Sequence, residues 1–270
     1  MIRLSLVVTI AAALFAQAAK FEVAAIKPST EPMLNYMYVR PQPGGRLTAT
    51  GPVHFLIQNA YGLQPFQVVG GPAWANSDRF DIDAKAEGNP TQKELVAMLG
   101  PLLEERFHLK SHRETRELPV YNLAIAKSGL KLTAPKNGNC SPVDSNPMVL
   151  PPPGTAPPCG RLVVRASPTG VTLLGGQVSI SEFERVLSNV MGRKVLDRTG
   201  LSGTYDIQVT FTPDSLAAGL PSGVPPPPTG DAAPPSIVTA MQEQAGLKLE
   251  SAKAPLEVLV VDHVERPTAN

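Results

Sequence analysis

Tyr205-Asp206-Ile207-Gln208-Val209 is followed by a Pro-rich break, a helix-like run from Ile237 to Gln244, the tetrapeptide Leu247-Lys248-Leu249-Glu250 and an apolar run from Leu256 to Val261. An earlier series has the same order: Phe80-Asp81-Ile82-Asp83-Ala84, a helix-like run from Leu95 to Leu103, Phe107-His108-Leu109-Lys110 and an apolar run from Val120 to Ala126. Strand-like and helix-like runs in this mixture give an α+β class. Their recurrence predicts an internally duplicated unit with mixed and antiparallel sheets and two helices per copy. Asp81 and Asp206 are separated by the same number of residues as Arg40 and Arg165, which aligns the copies.

Local patterns refine each copy. Arg46-Leu47-Thr48-Ala49-Thr50 corresponds to Val171-Thr172-Leu173-Leu174, and a helical stretch follows each. In the second, Ser179 and Glu182 have capping-box spacing, and Phe183, Val186, Leu187, Val190 and Met191 share one helical stripe. The first has a looser stripe of Phe55, Leu56, Asn59 and Ala60. Gly62 and Gly192 suit left-handed C-terminal caps, and short strands are expected at 66–69 and 195–197. Thr91 and Glu94 open a second helix carrying Leu95, Met98, Leu99, Leu102 and Leu103, in which Gly100-Pro101 predicts a kink or a restart. Phe107, Leu109 and Ser111 alternate with His108, Lys110 and His112, as in a strand with one buried face. The runs 120–126 and 256–261 read as separate closing strands, apolar on both faces and central in a sheet. Each copy is then β-α-β followed by β-α-β-β, and the doubly apolar closing strands lean toward lobes that share a core.

Residues 1–18 read as a cleaved signal peptide: Arg3, an apolar run from Leu4 to Phe15, then Ala16-Gln17-Ala18 as a small-x-small site. That run is too short to span a bilayer, which needs about 20 residues. Cleavage near Ala18 implies a secreted or periplasmic chain with no membrane span. The first copy is expected over 19–135, a Pro-rich loop over 136–160, and the second copy over 161–270 with a Pro-rich insertion at 214–235. Cys140 and Cys159 lie in the first Pro-rich stretch, and an oxidising compartment predicts a disulfide between them. A loop of that size contributes about 3 kcal/mol in the chain-entropy model.

Lys plus Arg number 24 against 23 for Asp plus Glu, and aromatic residues make up 5%. Nucleic acid is therefore not an expected partner, since both a basic field and stacking platforms are lacking. His108 and His112 on one extended strand would stand roughly 13 Å apart, too far to share an ion. His54 and His263 read as surface or capping residues. Asp81 and Asp206 could form a proton-sharing carboxylate pair, but neither lies in an Asp-Thr/Ser-Gly loop, and outward strand positions explain both. Gly200-Leu201-Ser202-Gly203 is not a nucleophile elbow, and Ser128-Gly129-Leu130-Lys131 lacks the companion elements of penicillin-recognising enzymes. No residue is assigned a catalytic, metal-binding or cofactor-binding role, and no cofactor is expected. Gly70-Gly71-Pro72-Ala73-Trp74 is a turn that leads the only tryptophan onto the core or a groove, so Gly70, Gly71 and Trp74 mark a candidate ligand groove.

Several longer motifs carry a resemblance: Phe21 to Pro28, Gly70 to Trp74, Ser77 to Ile82, Leu103 to Phe107, Asp197 to Asp206 and Val261 to Pro267. Together they resemble an exported family of uncharacterised proteins expanded in soil Acidobacteria, over nearly all of the mature chain. The resemblance implies export and supplies no catalytic residues. A shorter likeness runs from the helix ending at Gly192 through Val195-Leu196-Asp197 to Gly200–Asp206. It is similar to the short N-terminal domains of secretins and TonB-dependent receptors, which implies docking of envelope proteins. The expected function is an exported, non-catalytic binding or protein-interaction module whose partner is an envelope or extracellular protein or ligand. The alternative is an extracellular hydrolase.

Overall fold

The computed structural model describes residues 19–30, 37–135, 140–142, 156–167, 170–212 and 234–267. The expected leader, most of the first Pro-rich loop and nearly all of the 214–235 insertion lie outside the described residues. In chain order the elements are β1 (Phe21–Pro28), β2 (Tyr38–Gln42), β3 (Arg46–Pro52), α1 (Val53–Tyr61), β4 (Val68–Gly70), α2 (Trp74–Ser77), β5 (Arg79–Ala86), α3 (Gln92–Ala97), α4 (Leu99–Arg106) and β6 (Lys110–Ile125). After the Pro-rich stretch come β7 (Val163–Ser167), β8 (Gly170–Ser179), α5 (Ile180–Met191), β9 (Val195–Asp197), β10 (Thr204–Phe211), α6 (Ile237–Ala240), a π-helical turn (Met241–Ala245) and β11 (Leu247–His263). The fold is α+β. No helix among the described residues is long and apolar enough to cross a membrane.

Capping chemistry sets the helix starts. Thr91 and Glu94 exchange both hydrogen bonds of a capping box at α3. Ser179 accepts from the Glu182 amide at α5, but the Glu182 carboxylate turns to Arg185 and the Leu162 amide, so only half of that box forms. Gly62 and Gly192 end α1 and α5 in the left-handed conformation. Met98 separates α3 from α4, and Pro101 falls in the first turn of α4, where its missing N–H costs nothing. Phe107 to Leu109 is not strand, contrary to its alternation. His108 has φ 51°, and the Leu109 amide returns to the Leu103 carbonyl to close α4.

Among the described residues the strands form three sheets, ordered β1-β5-β3-β2, β10-β8-β7 and β4-β11-β6-β9. The first two are antiparallel throughout. The third is built on a ribbon in which β6 and β11 pair antiparallel from Leu247 opposite Ile125 to His263 opposite Lys110. What reads as two strands per copy is thus one continuous strand of 16 residues in β6 and of 17 in β11. Pro119 and Pro255 do not break them, for a reason visible in the alternation. Tyr121 N, Leu123 O, Glu257 O and Val261 O all bond outward from odd-numbered positions. Both prolines share that parity, so neither deletes a ladder bond. The apolar ends of β6 and β11 are central in their sheet, as their composition requires.

The ribbon serves two separate cores. The first gathers Leu47, Val53, Leu56, Leu95, Leu103 and Phe107, and it is completed by Leu259, Val261 and Val264 from the far end of the chain. The second gathers Leu173, Phe183, Leu187, Phe211 and Met241, and it is completed by Tyr121 and Leu123 of β6. A core common to both halves is not what forms, because the polar middle of the ribbon lies between them. Matching short strands seal the ends: β4 pairs in parallel with β11 at 259–261, and β9 pairs in parallel with β6 at 121–123.

The turn into β11 is the tightest join. Gly246 has φ +66°, and a methyl group there would run into the Gly129 carbonyl and lie 2.7 Å from the Lys131 amide. Gly62 has a similar φ of +64° with nothing nearby. Gly62→Ala should cost only the left-handed strain, about 1 kcal/mol. Gly246→Ala should cost about 3 kcal/mol because the 129–131 segment must also move. Urea unfolding of the two variants checks the difference.

Candidate functional site

The outer face of the β8–β10 pair carries a groove of about 460 Å³, a size typical of ligand sites, lined by Leu132, Thr133, Pro157, Leu174, Asp206, Gln208 and Gln244 among others. Each wall is held by hydrogen bonds. The 126–133 segment crosses the start of β11 through Ala126 N to Gly246 O and Lys131 N to Ala245 O, both 2.9 Å, and the Lys131 ammonium donates to Glu243 O at 2.6 Å. Thr133 then meets the edge of β10, where its carbonyl accepts from Asp206 N at 3.1 Å. On the opposite side the π-helical turn presents Gln244, whose side-chain amide accepts from Thr210 N at 2.9 Å and donates to Thr210 O at 2.8 Å.

The disulfide closes the third side. Cys140 and Cys159 are joined, with Cα atoms 5.0 Å apart. Cys159 bridges to Gly176, and a Cβ on Gly176 would lie 2.5 Å from that of Cys140, so only glycine lets the cross-link lie on the sheet. Here β8 bulges. Its register against β10 shifts between Tyr205 and Ile207, Gln177 takes φ 53°, and Asp206 Oδ1 accepts from the Gln177 amide at 3.1 Å. Asp81 lies in a different sheet, on β5, with Thr50 Oγ1 donating to it at 3.0 Å. The two aspartates each serve local backbone or strand pairing, and they are in different settings.

Gly70, Gly71 and Trp74 lie at the other end of the ribbon. A Cβ on Gly70 would come 2.9 Å from the Val261 carbonyl, and one on Gly71 would come 3.3 Å from His54 Nε2. The turn therefore presses directly on β11 and α1. Trp74 is half-buried on the first core, edge-on to Phe80 at 6.3 Å, and the Arg266 guanidinium stacks 4.8 Å over its ring. Arg266 also donates twice to Asp78, at 3.0 and 2.7 Å, which holds the Asp78 carboxyl below its ordinary range.

The histidines divide. His54, expected as a surface or capping residue, is only 7% exposed, and among the described residues its Nε2 has no hydrogen-bond partner, because α1 turns it under Gly71. Burial pushes its pKa down, partly offset by a hydrogen bond to the Gly70 backbone. His112 is exposed, with Nδ1 2.8 Å from Asp262 and Nε2 3.7 Å from Glu114, and the hydrogen bond to Asp262 pushes its pKa up. His263 has its own carboxylate, Glu265, at 2.7 Å. Burial, then Glu104, raises Tyr61 to about 12. Among the described residues no group of three His, Cys, Asp or Glu side chains is arranged to hold a metal ion.

A family model described as a protein of unknown function, DUF3738, matches residues 54–264. The chain belongs to this family. The matched span runs from α1 to the end of β11, takes in the ribbon and every groove residue named above, and leaves β1 to β3 outside. No curated protein and no solved structure matches the chain. The family description brings no activity, so function has to be read from the groove. Of its residues, Thr133, Gln208 and Gln244 were not singled out by the sequence. Strand alternation places Gln208 on the same edge as Asp206, but nothing local to Gln244 announces a contact with a strand 34 residues earlier.

The two shifted histidines act on stability with opposite signs. His54 is neutral when folded and has a depressed pKa, so stability should fall as pH drops below the ordinary value of 6.5 toward the folded pKa. His112 has a raised pKa, so its contribution is fully present below 6.5 and is lost as pH rises through the folded value. Urea unfolding across pH 5 to 8 should show the acid-side decline flattened by His54→Phe and the alkaline-side decline reduced by His112→Ala.

Proposed function

We propose that the chain is an exported, non-catalytic binding or protein-interaction module of the cell envelope, with the groove on the β8–β10 face as its recognition site. The observation that carries this reading is the chemistry of the groove walls. They offer main-chain groups, two glutamine amides, a threonine hydroxyl, the Asp206 carboxylate engaged with the Gln177 amide, and the side chains of Leu132, Pro157 and Leu174, and the one lysine ammonium is engaged with a main-chain carbonyl. Such a lining recognises shape and hydrogen-bond pattern. The groups with shifted pKa values that could support acid–base chemistry, His54, Tyr61 and His112, belong to the first core and the adjoining end of the ribbon, away from the groove.

Export is supported by the leader-like residues 1–18 and by the Cys140–Cys159 cross-link, which suits an oxidising compartment. We read the two halves as copies, supported by the shared order β2-β3-β5 and β7-β8-β10 and by the matching parallel contacts of β4 and β9. The stacked pair Trp74 and Arg266, beside Gly70 and Gly71, is the second contact surface of the module. A likeness of Gly200–Asp206 to envelope docking domains points the same way.

Expression of the full chain with a photo-crosslinking residue in place of Gln208 tests the proposal, with the same residue in place of Lys253 on the exposed ribbon as the control. The expected product is a mature chain starting near Ala19 in the periplasm or medium, with crosslinks to envelope components from position 208 and far fewer from 253. An unprocessed chain in the cytoplasm, or equal labelling from both positions, would contradict the proposal.

A further inference from the structure

His54 brings an unanswered polar atom into the first core. It sits in the first turn of α1, is 7% exposed, and among the described residues its Nε2 has no hydrogen-bond partner. The ring's hydrogen bond to the Gly70 backbone favours the protonated form, so Nδ1–H donates to the Gly70 carbonyl and Nε2 is left as a bare acceptor. Gly71 lies over it, where an added Cβ would stand 3.3 Å from Nε2 and 3.2 Å from Val261 Cγ1. A neutral ring fits this dry contact. A protonated one would bury a charge and a second donor with nothing to receive it.

The turn above His54 is held by β11. Gly70 pairs with Val261 at the end of a three-residue parallel ladder, and Gly71 N donates to Val261 O at 3.1 Å. Both glycines have positive φ, +83° and +76°, and glycine pays no steric penalty for entering or leaving that region. The turn runs directly into Pro72-Ala73-Trp74, and Trp74 lies edge-on to Phe80.

Among the described residues the charged groups around α1 are committed elsewhere. Asp78 after α2 is taken by Arg266, Glu104 of α4 by Tyr61, Glu105 of α4 by Lys20, and Arg46 of β3 by Asp83. Glu94 of α3 closes its own cap, Lys93 beside it is exposed, and Arg106 of α4 is engaged as well. Beyond Val261, Asp262 pairs with His112 and His263 with Glu265. Burial is therefore what lowers the His54 pKa, with no neighbouring charge involved.

We infer that His54 and the Gly70-Gly71 turn form an acid-released latch: the neutral ring holds the turn on β11, and a proton taken up by Nε2 keeps the turn lifted and loosens Trp74. Solvent reaches Nε2 only when the turn opens, so the proton selects an opening that the short ladder already permits. In the open form His54 has its ordinary pKa of 6.5, and in the closed form a lower one. The open population then rises about tenfold for each pH unit below 6.5, until the closed-form pKa is reached. The latch is a property of the fold and does not depend on a partner for the groove.

Amide hydrogen exchange of the full chain, followed by NMR from pH 8 to pH 5, tests the latch. The Val120 amide, inside the β6–β11 ladder, reports opening of the whole chain. At every pH Gly71 should be at least about tenfold less protected than Val120, because the turn opens without unfolding the cores. Its protection factor should be constant above pH 6.5 and fall about tenfold per unit below it. Trp74 emission should shift to longer wavelength over the same range, and His54→Phe should abolish both pH responses. Should that variant fail to fold, the ring nitrogens of His54 in the parent chain keep the test open: they should show a proton on Nδ1 alone at pH 8 and titrate in step with Gly71 exchange. Gly71 protection equal to that of Val120, protection that does not change with pH, a pH response that survives His54→Phe, or a proton on Nε2 at pH 8 would each overturn the inference.

Discussion

The hydrogen-bonded ribbon of β6 and β11 is the constraint on which everything else depends. Its strands are about three times the usual length of 5–6 residues and reach about 50 Å. Each begins in the half that encodes it and ends in the core of the other: Tyr121 and Leu123 fill the second core, and Leu259 and Val261 fill the first. Neither core has its full complement of side chains until the ribbon has formed. The short parallel strands β4 and β9 pair with the ribbon only at its ends, so they too depend on a framework that spans both halves.

A ribbon this long leaves open edges in its middle, and the chain blunts them. Pro119 and Pro255 both sit at outward positions, where they remove donors that could otherwise recruit another strand. Charged pairs cover the same stretch, among them Arg113 with Glu257 and Arg116 with Glu114. The second sheet manages its edge by a different route. Thr133, Gln244 and Pro235 each close one rung of β10, and the Cys140–Cys159 disulfide lies on the Gly175-Gly176 bulge beside it.

Features set by neighbours in sequence were legible in the sequence. Thr91 with Glu94, Ser179 with Glu182, and the glycines ending α1 and α5 are local signals, and they placed the helices. The α+β class followed from the recurrence of strand and helix patterns. The ribbon was not legible, because Pro119 and Pro255 look like breaks until one knows that their nitrogens face away from the partner strand. His108 was misplaced on a strand because alternation of side chains does not report a left-handed φ. His54 was expected outside, but its burial is decided by a turn 16 residues away at Gly70-Gly71 and by β11 behind it, both of which are tertiary facts. Gln244 was hidden for the same reason, since its role exists only once the π-helical turn packs beside β10. The cysteine pairing was readable because both residues fall in one loop with no competing thiol.

Mutual completion of the two cores makes a sharp demand on folding. Trp74 is the only tryptophan and packs on the first core, whereas Leu187 is fully buried in the second. The most direct measurement is urea unfolding of Leu187→Ala, followed by Trp74 fluorescence and by far-ultraviolet circular dichroism. The ribbon account predicts a single transition in which the Trp74 midpoint shifts to lower urea together with the dichroism, the remote substitution costing about 2–5 kcal/mol. A Trp74 midpoint unchanged from the parent chain, with the dichroism split into two transitions, would contradict it.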